Sequence, residues 1–257
     1  MRMIGAGLLA AGAFLTMTPA ALAHFQVIAP STDTVTEQTS RTVGIELVFT
    51  HPMERGPVMP MERPVRFGVK EGDAVDNLEP LLRSRIIDGK QAWEASYEIK
   101  KPGDYIFFVE PKPYWEPGEG KMIVHYAKVV IDAFGEGEGW DTMVGLPVEI
   151  RPLTRPYGLW TGNLFRGIVE HNGKPVPFAE VEVEWRNDGS ITPPSDAFIT
   201  QVIKADAAGV FAYAMPRAGW WGFAALVEGN TPMKSPDGKD VPVELGALMW
   251  VRAVDMK

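Results

Sequence analysis

The four histidines are the side chains most able to do chemistry in this chain, which contains no cysteine. They are His24, His51, His125 and His171. Neutral imidazole is a common ligand for nickel, copper, cobalt and zinc ions. The elements that position each histidine therefore decide which of them we predict to bind a metal.

Residues 1–23 have the pattern of a secretory signal peptide. Arg2 gives a positive start, an apolar run follows, and Ala21-Leu22-Ala23 is a small-x-small cleavage site. Cleavage after Ala23 makes His24 the first residue of the mature chain. A free α-amine and an imidazole then lie on one residue, and together they can chelate a divalent metal ion.

Two further histidines continue the apolar faces of predicted strands. His51 follows the odd-numbered apolar positions of a strand over 41–50, and Pro52 favours extended backbone at this point. His125 shares parity with the apolar positions of a strand over 122–132. The sequence therefore predicts a metal site formed by His24, His51 and His125. The alternative is that an inward-facing histidine is a hydrogen-bonded residue of the core.

For the remaining candidate residues the sequence favours a structural role over metal binding. His171 lies in a predicted hairpin turn beside Asn172-Gly173, and this turn explains a histidine at position 171 without a metal. Thioethers suit Cu(I), but methionines also pack irregular apolar surfaces. Whether the loop of methionines contributes ligands is left open; its members are Met53, Met59 and Met61.

A second loop is predicted over 114–117, where an aromatic pair precedes an acidic residue. It would cover the metal pocket, with Trp115 as a lid or packing residue and Glu116 exposed to solvent.

Composition and charge narrow the function classes. The formal net charge of −8 gives no electrostatic basis for binding nucleic acid. No second apolar run approaches the roughly 20 residues that span a bilayer, so we expect no integral membrane segment after cleavage. The motifs of serine hydrolases, zinc proteases, P-loop proteins and dinucleotide-binding proteins are absent from the sequence. We expect an exported, periplasmic binding protein and not an enzyme.

Short alternating runs separated by glycine and proline predict an all-β fold with two β-sandwich domains. The proline-rich passage 147–157 interrupts the pattern. We therefore predict an N-terminal sandwich with the metal site over 24–152 and a C-terminal sandwich over 158–257. In the strand over 178–185 the two faces differ: Val181, Val183 and Trp185 point inward, and Glu180, Glu182 and Glu184 form a solvated face.

Several segments recur together in one known family. They are Ala23-His24-Phe25, Phe49-Thr50-His51-Pro52, Pro113-Tyr114-Trp115-Glu116-Pro117, His125-Tyr126-Ala127-Lys128-Val129 and the run from Glu149 to Tyr157. With Asn172-Gly173-Lys174-Pro175-Val176 and Ala218-Gly219-Trp220-Trp221-Gly222-Phe223, they make the chain resemble the DUF4198 family of exported proteins. The elements of the second half also resemble transthyretin-like or carboxypeptidase-regulatory-like sandwiches.

The family includes NikK, a periplasmic component of nickel and cobalt uptake systems. The resemblance therefore implies capture of Ni²⁺ or Co²⁺ at His24, His51 and His125 for an inner-membrane transporter, with Cu²⁺ also possible. One alternative is a copper histidine-brace protein or oxidase-type enzyme built on His24 and His51. Another is a structural or carbohydrate-contacting sandwich in which Trp115 and other tryptophans stack on sugars.

Overall fold

A computed structural model describes residues 24–256, which fold almost entirely into β-strands. The all-β class is thereby confirmed. The predicted signal peptide, residues 1–23, lies outside the described residues. Within 24–256 the helical structure consists of two short 3₁₀ turns, Glu79–Leu81 and Asp196–Phe198. No helix in this part of the chain has the length and apolar character needed to cross a bilayer.

The strands are numbered in chain order. Those of the first half are β1 (Phe25–Pro30), β2 (Thr34–Val35), β3 (Thr42–Thr50), β4 (Val58–Met59), β5 (Arg66–Glu71), β6 (Ala74–Asn77), β7 (Arg83–Ile87), β8 (Lys90–Glu98), β9 (Gly103–Glu110), β10 (Tyr114–Glu116) and β11 (Lys121–Ala133). Those of the second half are β12 (Val148–Pro152), β13 (Leu159–Trp160), β14 (Leu164–His171), β15 (Lys174–Pro175), β16 (Glu180–Trp185), β17 (Gln201–Lys204), β18 (Val210–Ala214), β19 (Gly219–Glu228), β20 (Met233–Lys234), β21 (Asp240–Val241) and β22 (Val243–Val254).

One eleven-stranded sheet forms the centre of the molecule. Its main path is β17-β16-β19-β22-β11-β9-β5-β6, and β2, β10 and β13 join it at β11 or β22. A five-stranded sheet contains β1-β3-β8-β7 with β4 beside β3, and a four-stranded sheet contains β12, β14, β15 and β18. β20 and β21 form a separate two-stranded hairpin.

The two halves of the chain share the central sheet, which differs from the expected division into two separate sandwiches. β22 pairs in parallel with β11, from Val243 opposite Met122 to Trp250 opposite Val129. The passage 147–157 contains β12 of the four-stranded sheet and does not divide the chain into two independent sheets. Alternation in the sequence locates strands, but it does not reveal that a strand near the C-terminus pairs with one more than a hundred residues earlier.

Two hydrophobic cores lie on opposite faces of this shared sheet. Odd-numbered residues of β11, such as Ala127 and Val129, join the core under the five-stranded sheet. Even-numbered residues, such as Val124 and Val130, join the core under the four-stranded sheet. Because both faces of β11 are covered, the strand is buried from Ile123 to its end.

The acidic face predicted for β16 is not solvated. Glu180 is exposed as expected, but Glu182 and Glu184 are buried. The segment after β3 covers Glu184, and the Met53 amide donates a hydrogen bond to Glu184 Oε2 at 2.9 Å. Thr200 Oγ1 donates to the other carboxylate oxygen at 2.6 Å.

A buried ion pair ties β11 to the start of the second half. Lys128 Nζ donates to Glu149 Oε1 at 2.6 Å, and both side chains are almost fully excluded from solvent. The backbone amides of Val144, Gly145 and Leu146 donate to the same carboxylate. Both residues belong to segments singled out in the sequence, and their pairing gives those segments a structural role.

Candidate functional site

The register between β1 and β3 brings His24 and His51 together. Phe25 pairs with Thr50 and Gln26 with Phe49, so continuing this antiparallel register by one residue puts His24 opposite His51. Side chains of directly opposed residues lie on the same face of a sheet. The two imidazole ring centroids are 4.6 Å apart with the rings tilted by 53°, and both histidines are buried.

Glu116 holds one nitrogen of His24. Its Oε2 lies 3.1 Å from His24 Nε2, and its side chain is only 16% exposed. The sequence does not reveal this role, because the pattern of 114–117 predicts a loop with Glu116 exposed to solvent. The segment is instead the short strand β10, paired with β11 so that Glu116 lies opposite Lys121.

His125 has an equivalent carboxylate partner, Glu244 of β22. The distance from His125 Nε2 to Glu244 Oε1 is 3.0 Å, and Lys121 Nζ contacts the other oxygen of Glu244. Burial by itself would raise the pKa of Glu244, but the hydrogen bonds and charges of His125 and Lys121 outweigh it and lower the pKa to about 2. Glu244 is therefore an ionised acceptor for the His125 ring.

The second nitrogen of His125 is a buried polar atom without a partner among residues 24–256. His125 is 1% exposed, and its Nδ1 makes no hydrogen bond to any residue within 24–256. Space for the ring comes from Gly246, the residue paired with His125 across β11 and β22. A Cβ atom at position 246 would lie 2.3 Å from His125 Cδ2, so only glycine accommodates the ring here.

Phe49 contacts both His24 and His125. Its ring stacks on His24 at 5.5 Å between centroids and meets His125 edge-on at 6.0 Å. With Met59, Ile123 and Tyr114 it forms a small apolar cluster at this end of the molecule. His24 and His51 are thus in direct ring contact, and the Phe49 ring contacts both His24 and His125. Within residues 24–256 no three His, Asp or Glu side chains are already grouped to hold a metal ion.

A cleft of about 390 Å³ opens beside these residues. Gln26, Phe49 and His125 contribute to its lining. Apolar and aromatic side chains make up much of the rest; they include Met61, Tyr114, Trp115 and Met122.

The other sequence candidates lie elsewhere. His171 ends β14 and pairs with Lys174 in the hairpin of the four-stranded sheet, as the turn interpretation expects. The three methionines do not form one thioether cluster. Met53 packs in the core under the four-stranded sheet, Met61 in the core under the five-stranded sheet, and Met59 beside Phe49.

Comparison with known proteins yields one family and distant structural likenesses. The model of a family described as "Domain of unknown function (DUF4198)" matches residues 21–229. No curated protein matches the chain.

Three solved structures illustrate the structural likenesses. A group of domains from titin has 7% identity and a TM-score of 0.21, over 89% of this chain and 68% of that one. Fibronectin(III)-like modules of CbhA from Clostridium thermocellum have 8% identity and a TM-score of 0.19, over 90% and 97%. The D00-D0 domain of intimin has 10% identity and a TM-score of 0.21, over 89% and 100%. TM-scores at this level carry no argument about the present chain.

Proposed function

This chain belongs to the DUF4198 family, whose function is unknown, and we propose that it is a periplasmic protein that binds a divalent metal ion as cargo. The metal is Ni²⁺ or Co²⁺, the ligands are His24, His51 and His125, and the recipient is an inner-membrane uptake transporter. The observation that carries the proposal is the buried contact between the His24 and His51 rings, with Glu116 at His24 Nε2.

The carboxylates beside the histidines support metal binding. A histidine that ligates a metal commonly donates its other ring N–H to a carboxylate, which fixes the tautomer and raises the basicity of the ligating nitrogen. His24 and His125 both have a glutamate at Nε2. For both residues this arrangement assigns Nδ1 as the ligating atom.

For His24, ligation through Nδ1 matches the chemistry of a mature N-terminus. Nδ1 is the ring nitrogen nearer the backbone, so it can form a chelate ring with the α-amine of the same residue. That amine exists only after the bond between Ala23 and His24 is cut, because an amide nitrogen is a far poorer donor. Export and processing in the periplasm are therefore part of the proposal.

The test is calorimetric titration of the mature protein with Ni²⁺ and Co²⁺. We expect one metal per chain, with most of the affinity lost in His51→Ala and His125→Ala and retained in the matched control His171→Ala. A protein with one extra glycine before His24 should bind much more weakly. If His51→Ala and His125→Ala titrate like the wild type, the shared site is wrong. If only His125→Ala does so, the site is reduced to His24 and His51.

The choice of nickel or cobalt rests on the family resemblance. Cu²⁺ should bind nitrogen ligands of this kind tightest in any case, because affinity rises along the series from manganese to copper. Affinity order therefore does not identify the cargo. The cargo is identified by the metal content of protein isolated directly from the periplasm, measured by mass spectrometry.

A copper histidine-brace protein is the second candidate. It is favoured by the direct contact of His24 with His51, since a brace needs an amino-terminal histidine and one more. If the protein is a brace enzyme, we expect the Cu²⁺-loaded protein to consume oxygen in the presence of ascorbate. If the protein only binds its cargo, we expect oxygen consumption no higher than that of the His51→Ala variant.

A further inference from the structure

The cleft beside His125 is larger and more apolar than a bare metal ion requires. We propose, resting on the proposed function, that it holds the organic part of a metal chelate. The metal then arrives as a complex with a small molecule that combines an apolar body with at least two chelating groups. The chelator fills coordination positions that the protein leaves to it, and its body lies in the cleft.

The size and lining of the cleft support an organic ligand. Its volume of about 390 Å³ falls within the range of roughly 300–1,000 Å³ typical of small-molecule sites. Aromatic rings and proline rings line the walls, including Phe49, Tyr114, Trp115 and Pro113. Such walls stabilise an apolar body by removing it from water, whereas they offer little to a hydrated ion.

Two buried polar atoms of cleft residues lack protein partners, and they give the ligand its polar contacts. The amide of Gln26 donates from Nε2 to the carbonyls of Val27 and Val48 and to Met61 Sδ, while its Oε1 accepts no hydrogen bond from residues 24–256. A buried acceptor without a partner is costly, so a ligand that brings an N–H or O–H donor is favoured. His125 Nδ1 provides the connection to the metal.

The lining of the cleft carries two ammonium groups and the carboxylate of Glu62. Lys112 and Lys234 line the cleft, and each is paired with a carboxylate, Glu62 or Asp240, in a solvent-exposed contact. Exposed pairs of this kind are weak and exchange readily. A chelator with a carboxylate group can therefore meet a positive charge within the cleft by replacing the carboxylate of Glu62 or Asp240.

The experiment compares two chelates that differ only in their apolar part. Glycine and L-phenylalanine bind Ni²⁺ through the same amine and carboxylate, but only phenylalanine has a ring. We expect the 1:1 Ni²⁺–phenylalanine complex to bind the wild-type protein at least about tenfold more tightly than the Ni²⁺–glycine complex, since burying a phenyl ring contributes at least that much. Trp115→Ala should remove most of this preference, which is measured within each variant as the ratio of its affinities for the two complexes. Trp115→Phe should restore it, and Trp160→Ala, at an exposed site elsewhere, should have no effect.

The outcomes separate the chelate from the proposed function. Equal binding of the two complexes, with Ni²⁺ alone still bound, overturns the chelate and leaves the metal site standing. Tight binding of phenylalanine without metal also overturns it, because the cleft would then be a site independent of metal. Failure of Ni²⁺ and of both complexes to bind overturns the proposed function itself.

Discussion

The nitrogen with which a histidine binds a metal is selected by the group that holds its other nitrogen. In His24 and His125 that group is a glutamate from a different strand, Glu116 of β10 and Glu244 of β22. In the proposed site the histidines would supply the lone pairs, and the carboxylates would fix the direction in which those lone pairs point. If the proposed metal site is right, its affinity depends on carboxylates that do not themselves touch the metal.

Replacing Glu116 by glutamine should weaken metal binding without unfolding the protein. We expect the Ni²⁺ affinity of Glu116→Gln to fall about 10- to 100-fold, which is typical when a carboxylate behind a ligating histidine is lost. Glu71→Gln is the matched control, because the side chain of Glu71 is 24% exposed and pairs with Lys101. Calorimetric titration measures both, and equal affinities in the two variants would show that Glu116 does not hold a ligand.

Replacing Gly246 by alanine should displace the His125 ring. The added Cβ would lie 2.3 Å from Cδ2 and 2.8 Å from Nε2 of His125, so the ring or the strand must move. We expect the free energy of unfolding to fall by about 1–3 kcal/mol, as for other overpacked sites, together with a loss of Ni²⁺ affinity. Gly44→Ala is the control, because a Cβ there meets no atom within 4 Å. Urea denaturation and metal titration of both variants check the prediction.

The sequence identified the histidines more readily than their partners. Parity along β3 and β11 was enough to predict that His51 and His125 face inward, as their burial confirms. Glu116 and Glu244 were missed because a carboxylate near a turn looks solvated until the strand that covers it is known. One signal was available: Glu244 shares parity with Leu248 and Trp250, the apolar positions of β22 that face the same core as His125.

At the scale of the element, β16 illustrates the limits of alternation. The pattern of Val181, Val183 and Trp185 correctly predicts one buried face. It does not reveal what covers the other face, where Glu182 and Glu184 are also buried. Burial raises the pKa of Glu182 to about 8, with further contributions from the neighbouring Glu244, Glu184 and Glu180. Burial similarly raises the pKa of Glu184 to about 7, although its hydrogen bonds oppose the shift.

The raised pKa of Glu182 makes stability depend on pH. Its carboxyl titrates near 4.5 when unfolded and near 8 when folded, so between these values the folded state holds the additional proton. The contribution of Glu182 to the free energy of unfolding therefore falls as pH rises from about 4.5 to about 8, and it is constant below this window. Glu182→Gln should lose less stability than the wild type between about pH 4.5 and pH 8, measured by urea denaturation at a series of pH values. Glu180→Gln, exposed on the same strand, should follow the wild type; a parallel profile for Glu182→Gln would contradict the assignment.

The buried pair of Lys128 and Glu149 should be essential to the contact between β11 and β12. Glu149→Ala leaves the Lys128 ammonium buried without its carboxylate and removes the acceptor of three backbone amides. Breaking a buried pair from one side costs about 3–5 kcal/mol. Asp240→Ala, which breaks an exposed pair with Lys234, should cost less than about 1 kcal/mol. Comparable losses in the two variants, measured by chemical denaturation, would mean that the buried pair contributes no more than a surface one.

At the scale of the whole molecule, the strand content follows from the sequence and the pairing does not. Turn residues and alternation predict an all-β chain, and a proline-rich passage interrupts the pattern at 147–157. The parallel pairing of β11 with β22 is a contact between segments far apart in the chain. It places residues of both halves in each hydrophobic core, for example Val129 with Trp250 on one face and Val130 with Met249 on the other.

A shared sheet predicts that the two halves unfold together. Leu47→Ala removes a buried side chain from the core under the five-stranded sheet, and Phe165→Ala removes one from the core under the four-stranded sheet. Substitutions of these types cost about 2–5 kcal/mol. If β11 and β22 couple the cores, each variant should lower the urea midpoint of one cooperative transition, with circular dichroism and tryptophan fluorescence coinciding.

The control for this experiment is Leu164→Ala, at an exposed position next to Phe165, which should leave the midpoint nearly unchanged. Two independent sandwiches would behave differently. Each core variant would then split the curve into two transitions and shift only the one that belongs to its own half. A single shifted transition in both variants means that a change in the second half reaches the strands that position His24, His51 and His125, because Glu244 and Gly246 of β22 hold His125 from that half.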